Sequence, residues 1–265
     1  MDKDEAVSDR DRAETDVVTG TARYPGADGA AIEVFLARPA RTGRSPALLL
    51  GYEFWGMLDV PGGGPHMRDV ATRLARAGYV AAVPDYYAAR GQQPTMEGGV
   101  IKGSPPDEQI ISDLCLGAEW LAGLPEVDPE RIGCIGWCGG GRQALFLAAH
   151  SHHLRAVASF YGRPVNRPDR PGLSPIDLVP QMRCAVFAAY GEADKGIPLS
   201  AVRRFEEELA RANVPHEVHI FAGAGHAFMN DQRDSYVATA AAESWQKALA
   251  FFARHLGGAE PHRAA

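Results

Sequence analysis

The densest chemical signal in the chain is the run Ile132-Gly-Cys-Ile-Gly136-Trp137-Cys138-Gly139-Gly140-Gly141-Arg142. An apolar strand-like segment passes straight into a glycine-flanked cysteine and then into a helical pattern. That is the strand-to-helix context of a nucleophile elbow, with Cys in the place more often held by Ser. The residue at the tip of so tight a turn takes a strained backbone conformation, and small neighbours let strand and helix approach each other. The same turn sets the sulfur of Cys138 at a helix N-terminus, where the dipole and unpaired N–H groups favour a thiolate. A nucleophilic thiol needs a base, and the base needs an orienting partner. Downstream, Tyr190-Gly-Glu-Ala-Asp194 closes one apolar run and Gly225-His226-Ala-Phe228 follows another. Cys138, Asp194 and His226 thus occur in the order nucleophile, acid, histidine, with Glu192 as the alternative acid. The residue after the nucleophile, Gly139, and the loop Gly51-Tyr-Glu53-Phe54-Trp55-Gly56 are the sources of oxyanion donors, through the N–H groups of Gly139 and Phe54. Glu53 is unusual in that loop, because a carboxylate there repels developing negative charge; the alternative is a side chain turned to solvent.

These residues must be positioned by a sheet. Apolar runs of strand length occur at Ala47–Leu50, Tyr79–Val83, Arg131–Ile135, Ala156–Phe160, Cys184–Ala188 and Glu217–Phe221. Helical patterns lie between and after them, at Met67–Ala77, Asp107–Leu121, Gly141–His150, Ala201–Ala212 and Asp234–His255. Strands apolar on both faces, alternating with helices, predict an α/β domain with a mainly parallel, doubly wound sheet of about eight strands and helices on both faces. Val17–Arg23 and Ala31–Ala37 flank a Pro-Gly-Ala-Asp-Gly turn and predict an N-terminal antiparallel hairpin. Asp194 and His226 then fall at the C-terminal ends of strands, where such sheets bind ligands. Two connections, 91–106 and 163–173, are long; each is either a solvated link or a functional loop.

The chain has 265 residues and a net charge of −6, of which the first sixteen residues contribute a net −4. The expected organisation is an acidic disordered tail (1–16), one domain (17–256) and a flexible C-terminal tail (257–265). Nothing in this charge balance suits a nucleic-acid partner, and no run is long and apolar enough to span a bilayer. The N-terminus lacks an apolar secretory segment, so a cytoplasmic protein, monomeric or homodimeric, is expected. Cys115, Cys134 and Cys184 read as structural. His150, His152 and His153 crowd one helix C-terminus as capping groups, His216 and His219 sit in or beside a strand, and His255 and His262 belong to the chain's end. No group has metal-ligand spacing.

In combination, Glu53 within Gly-Tyr-Glu-Phe-Trp-Gly, Pro84-Asp-Tyr86-Tyr87, Gly136-Trp-Cys-Gly-Gly-Gly, Tyr190-Gly-Glu-Ala-Asp194 and Gly225-His-Ala-Phe resemble the dienelactone hydrolase family over about Thr19–Leu256. The resemblance implies an α/β-hydrolase fold, a Cys138–His226–Asp194 triad, no cofactor, and opening of a lactone or cleavage of a carboxylic ester through a thioester. It also gives Glu53 a role: holding the resting thiol protonated until substrate displaces the carboxylate. One departure stands out. Where the family carries a carboxylate-binding Arg after the histidine, this chain has Asn230, with Arg233 three residues later. Arg90 matches a second family Arg that follows the Pro-Asp-x-Tyr segment, Arg163 is the candidate to compensate for the missing one, and Trp55, Tyr86, Trp137 and Phe228 are the candidate aromatic contacts with substrate. The Asn230 departure also raises a non-hydrolytic alternative, cyclisation or isomerisation of a biosynthetic intermediate. An idle ligand-binding protein on the same scaffold is the third reading.

Overall fold

The computed structural model describes residues 16–92, 95–97, 100–167 and 172–257. The expected tails, 1–16 and 257–265, lie outside this range except for Asp16 and Gly257. The strands are β1 (Val17–Pro25), β2 (Ala31–Pro39), β3 (Ser45–Gly51), β4 (Val80–Pro84), β5 (Thr95–Glu97), β6 (Val100–Lys102), β7 (Val127–Trp137), β8 (Leu154–Phe160), β9 (Ala185–Gly191) and β10 (His216–Phe221). The helices are α1 (Gly64–Arg76), α2 (Asp107–Ala122), α3 (Gly139–His150), α4 (Leu199–Arg211) and α5 (Ala238–Leu256), with short 3-10 turns at Ala88–Arg90 and Pro175–Gln181.

Eight strands form one sheet in the order β1-β2-β4-β3-β7-β8-β9-β10. The β1–β2 hairpin is antiparallel and joins β4 antiparallel; from β4 to β10 the sheet is parallel. Every residue of β3, β4 and β9 is buried, as strands apolar on both faces require. Helix α1 meets α5 through Arg73 stacked 4.4 Å over the Trp245 ring, and α2 packs on α3 on the other face. Helix α5 starts at Ala238, four residues after the sequence pattern suggested, because residues 230–236 form successive turns.

The strand order places the site. From β3 the chain crosses one way to β4, and β7 inserts on the other side of β3. This reversal opens a crevice at the C-terminal ends of β3 and β7, as it does in doubly wound sheets. Glu53 and Phe54 follow β3, and Cys138 follows β7. The long connection 91–106 is not wholly irregular, since β5 and β6 form a small antiparallel pair.

Candidate active site

Cys138 is the N-cap of α3 with φ 53° and ψ −113°, a positive φ that a non-glycine residue holds only under constraint. Its N–H donates to the Phe160 carbonyl at 3.0 Å, and the next turn is tied down by Arg142 N–H donating to the Cys138 carbonyl. The glycines two residues to either side are sterically required. A Cβ on Gly136 would stand 2.2 Å from the Gly140 carbonyl oxygen, and one on Gly140 would stand 2.1 Å from Gly51. The elbow is therefore wedged against the end of β3, which brings the 52–56 loop beside the sulfur.

Cys138 Sγ lies 3.2 Å from His226 Nε2, and His226 Nδ1 donates to Asp194 Oδ2 at 2.7 Å. The other oxygen of Asp194 accepts the Gly196 N–H at 2.8 Å. The acid is Asp194 and not Glu192, whose carboxylate is turned to the Gly223 N–H. Burial works against the Asp194 charge, yet the hydrogen bonds from His226 and Gly196 outweigh it and hold the carboxyl below its ordinary range. Burial likewise pulls His226 down, but its bonds to Asp194 and Cys138 prevail and push it up to about 10. Among the described residues, neither the Phe54 nor the Gly139 N–H has an intramolecular acceptor, and both residues border the cavity that contains Cys138.

Glu53 is buried at 5% exposure, which excludes the solvent-facing alternative. Tyr161 Oη donates to one of its oxygens at 2.7 Å and Asn230 Nδ2 to the other at 3.1 Å. Tyr161 also has a positive φ of 41°, and burial, reinforced by the Glu53 charge, raises its phenol well above the usual range, so it stays a donor. Both Glu53 oxygens are thus occupied by donors, and the Cys138 sulfur faces His226.

Several predicted substrate contacts are corrected. Arg90 is nowhere near the sulfur: its guanidinium pairs with Asp28 and with Asp113, whose side chain is 1% exposed, at 2.8 Å. It fastens the β1–β2 turn to α2. Removing Asp113 leaves Asp28 as the carboxylate paired with the largely buried guanidinium and takes the acceptor from the Ala27 N–H, so Asp113→Ala is expected to cost about 2 kcal/mol and to lower the melting temperature by roughly 4–8 °C, with ester turnover at 25 °C unchanged. Tyr86, Trp137 and Phe228 are core residues, stacked on Tyr52, on Phe160 and against Tyr161 respectively. Asn230 is fully buried and bridges Glu53 and the Gly62 carbonyl, so it positions a carboxylate of the protein. Arg233 is exposed, with its guanidinium 5.8 Å from the centre of the half-buried Trp55 ring, and neither lines the cavity. Arg163 is half-buried beside Gly196 and close enough to Cys138 and Asp194 to feel their charge. Burial and the neighbouring Arg167 lower its pKa.

Sequence reasoning missed Tyr161, although its position directly after an apolar strand at the C-terminal edge of the sheet was a usable signal. It also missed the cavity itself, about 750 Å³, whose walls come from Phe54, Tyr87, α2, α3 and the Leu173 segment. Both long connections supply part of its rim, at 104–106 and at Asn166, Gly172 and Leu173. Among the described residues no cluster of His, Cys, Asp or Glu has metal-binding geometry, and no helix is long and apolar enough to cross a membrane.

The dienelactone hydrolase family profile matches residues 32–256. A Methylorubrum extorquens AM1 protein provisionally named carboxymethylenebutenolidase is 32% identical over 247 residues, covering 90% of this chain and 82% of that one. A Bradyrhizobium protein, provisionally a 2-oxo-3-(5-oxofuran-2-ylidene)propanoate lactonase, is 30% identical over 239 residues, 88% of this chain and 93% of its own. The crystal structure of a Klebsiella pneumoniae protein, provisionally a dienelactone hydrolase, superposes with a TM-score of 0.80 at 30% identity, over 90% of this chain and 99% of that one. With profile and relatives matched across nearly the whole length, and with the sheet, elbow and crevice just described, the chain belongs to the dienelactone hydrolase family and has the α/β-hydrolase fold.

Proposed function

We propose that this protein hydrolyses a carboxylic ester or lactone through a thioester on Cys138. The observation that carries the reading is the hydrogen-bonded line Cys138–His226–Asp194, with the sulfur at a strained helix N-terminus. Cys138 sulfur attacks the carbonyl carbon and its proton resides on His226. The carbonyl oxygen becomes an oxyanion within reach of the Gly139 and Phe54 N–H groups. His226 then protonates the departing alkoxide or enolate, and the C–O bond breaks to leave the thioester. Water, deprotonated by His226, attacks the thioester; the C–S bond breaks and the thiol is restored. The net reaction consumes one water per bond cleaved. For a lactone, alcohol and acid remain in one product. The relatives' names agree with a lactone substrate.

Asp194 orients His226, and Glu53 gates the thiol. A buried carboxylate near the sulfur disfavours the thiolate through its charge, and Tyr161 and Asn230 fix this one in place until substrate displaces it. Removing the gate's charge while keeping its shape is therefore expected to make the resting thiol more reactive. Glu53→Gln should raise the rate of Cys138 alkylation by iodoacetamide at pH 7 by about three- to tenfold; an unchanged or slower rate removes Glu53 from this role.

The test of the activity is a hydrolysis screen of p-nitrophenyl esters, enol lactones and dienelactone, read both by product release and by intact-protein mass. A transient acyl adduct on Cys138 and a product 18 Da heavier than the lactone are expected. A product of unchanged mass indicates isomerisation instead, and a protein that no activated ester acylates is a binding protein.

A further inference from the structure

The cavity beside Cys138 has a composition that sorts substrates. Its apolar wall is Phe54, Tyr87, Ile110, Ile111, Phe146 and Leu173, drawn from the loops after β3 and β4, from α2 and α3, and from the segment after β8. Three of its polar side chains, Asp107, Arg142 and Gln143, are tied to one another, although among the described residues Gln143 Oε1 is left without a partner. Arg142 Nη2 donates to Asp107 Oδ2 at 3.1 Å, Gln143 Nε2 donates to Asp107 Oδ1 at 2.8 Å, and the Arg142 guanidinium lies 4.7 Å over the Phe146 ring. The Asp107 charge is thereby matched within the wall. Glu108, at the mouth, adds a second carboxylate that opposes an anionic group. At about 750 Å³ the space exceeds what a small lactone fills and falls in the range that holds a drug-sized molecule.

Its direction matters as well. The cavity reaches Cys138 from the side of Gly139 and Phe54, the oxyanion donors, and His226 and Asp194 do not line it. The leaving oxygen must face His226 to be protonated, so the group extending from the other side of the carbonyl is the acyl part.

Given the hydrolytic reading above, we infer that the cavity between α2 and α3 is an acyl pocket for a neutral, bulky and predominantly apolar acyl chain, in place of a small carboxylate-bearing one. The cavity's apolar lining, its Asp107 matched by Arg142, and its approach to Cys138 beside the oxyanion donors, with His226 outside its lining, lead to that assignment.

The test is a chain-length series of p-nitrophenyl esters from acetyl to octanoyl, alongside an ester of a dicarboxylic half-acid of matched length. Burial of each methylene favours binding by roughly threefold in kcat/KM until the pocket is filled, so octanoyl should exceed acetyl by at least about thirtyfold. The matched anionic ester should fall below its neutral counterpart. Leu173 is 54% exposed, so Leu173→Asp puts a charge on the wall with little risk to folding. It should lower octanoyl kcat/KM about tenfold or more, and by several times more than it lowers acetyl kcat/KM. Ile111→Phe, which fills the pocket, should produce the same chain-length truncation by a different route. A flat chain-length profile, preference for the anionic ester, or equal loss of acetyl and octanoyl activity in Leu173→Asp overturns the inference. If no ester in the series, acetyl included, is hydrolysed or acylates Cys138, the hydrolytic reading fails first.

Discussion

Cys138→Ala is expected to lower kcat/KM for every hydrolysable ester by about ten-thousandfold, with unfolding temperature nearly unchanged. In triads of this type, loss of the nucleophile removes the covalent route and leaves only oxyanion stabilisation and binding. The side chain carries little structural burden, since Cys138 is partly exposed and its backbone, not its sulfur, is gripped by Phe160 and Arg142. Cys138→Ser sharpens the test. A hydroxyl does not give up its proton to imidazole in the ground state, so acylation should slow by two to three orders of magnitude, about a hundred- to a thousandfold. Any acyl adduct on Ser is an oxygen ester, and intact-protein mass shows it accumulating where its hydrolysis is slowed more than its formation. Activity of the Ala variant within tenfold of the wild type would falsify the nucleophilic role.

The parts of this site that sequence revealed are those whose signal is local. A turn that demands glycine two residues either side of a cysteine is written in five consecutive residues, and a Cβ on Gly136 or Gly140 would stand 2.2 or 2.1 Å from neighbouring backbone, closer than a side chain can approach. Asp194 and His226 end apolar strands, so placing the strands placed them. The aromatic assignments failed for a different reason. After β4 the chain presents Tyr86 and Tyr87 in succession, and only one can face the crevice; Tyr86 stacks on Tyr52 in the core while Tyr87 lines the cavity. A one-residue change of phase is invisible without the sheet. Arg90 failed because its partners, Asp28 and Asp113, are separated from it by 62 and 23 residues and are brought together only when the hairpin docks on α2. The acyl pocket was hidden in plain amphipathic patterns. Ile110, Ile111 and Phe146 read as core stripes of their helices, and only the crossing of α2 over α3 near the elbow leaves part of those stripes uncovered.

Asp194→Asn is expected to be the second most damaging substitution, and its effect should be separable from a loss of structure. Asp194 Oδ2 accepts only, so it fixes the proton on His226 Nδ1 and leaves Nε2 to take the thiol proton. An Asn amide can instead donate toward Nδ1, which selects the other tautomer and blocks Nε2 as a base. The expected loss in kcat is about a thousand- to ten-thousandfold, with KM within about threefold because Asp194 does not line the acyl pocket. The pH dependence supplies the second readout. His226 is raised to about 10 by its bonds to Asp194 and Cys138, against the pull of burial. A group raised in the folded state contributes stability that is complete below its unfolded pKa, about 6.5 for histidine, and that fades as pH climbs through the folded value. The wild-type advantage in melting temperature over Asp194→Asn should therefore be greatest near pH 6 and shrink steadily toward pH 10. The alkaline limb of the residual kcat profile should also move to lower pH, because the variant imidazolium loses its proton sooner. A melting-temperature gap that widens with rising pH, or an alkaline limb that stays in place, means that Asp194 does not set the state of His226.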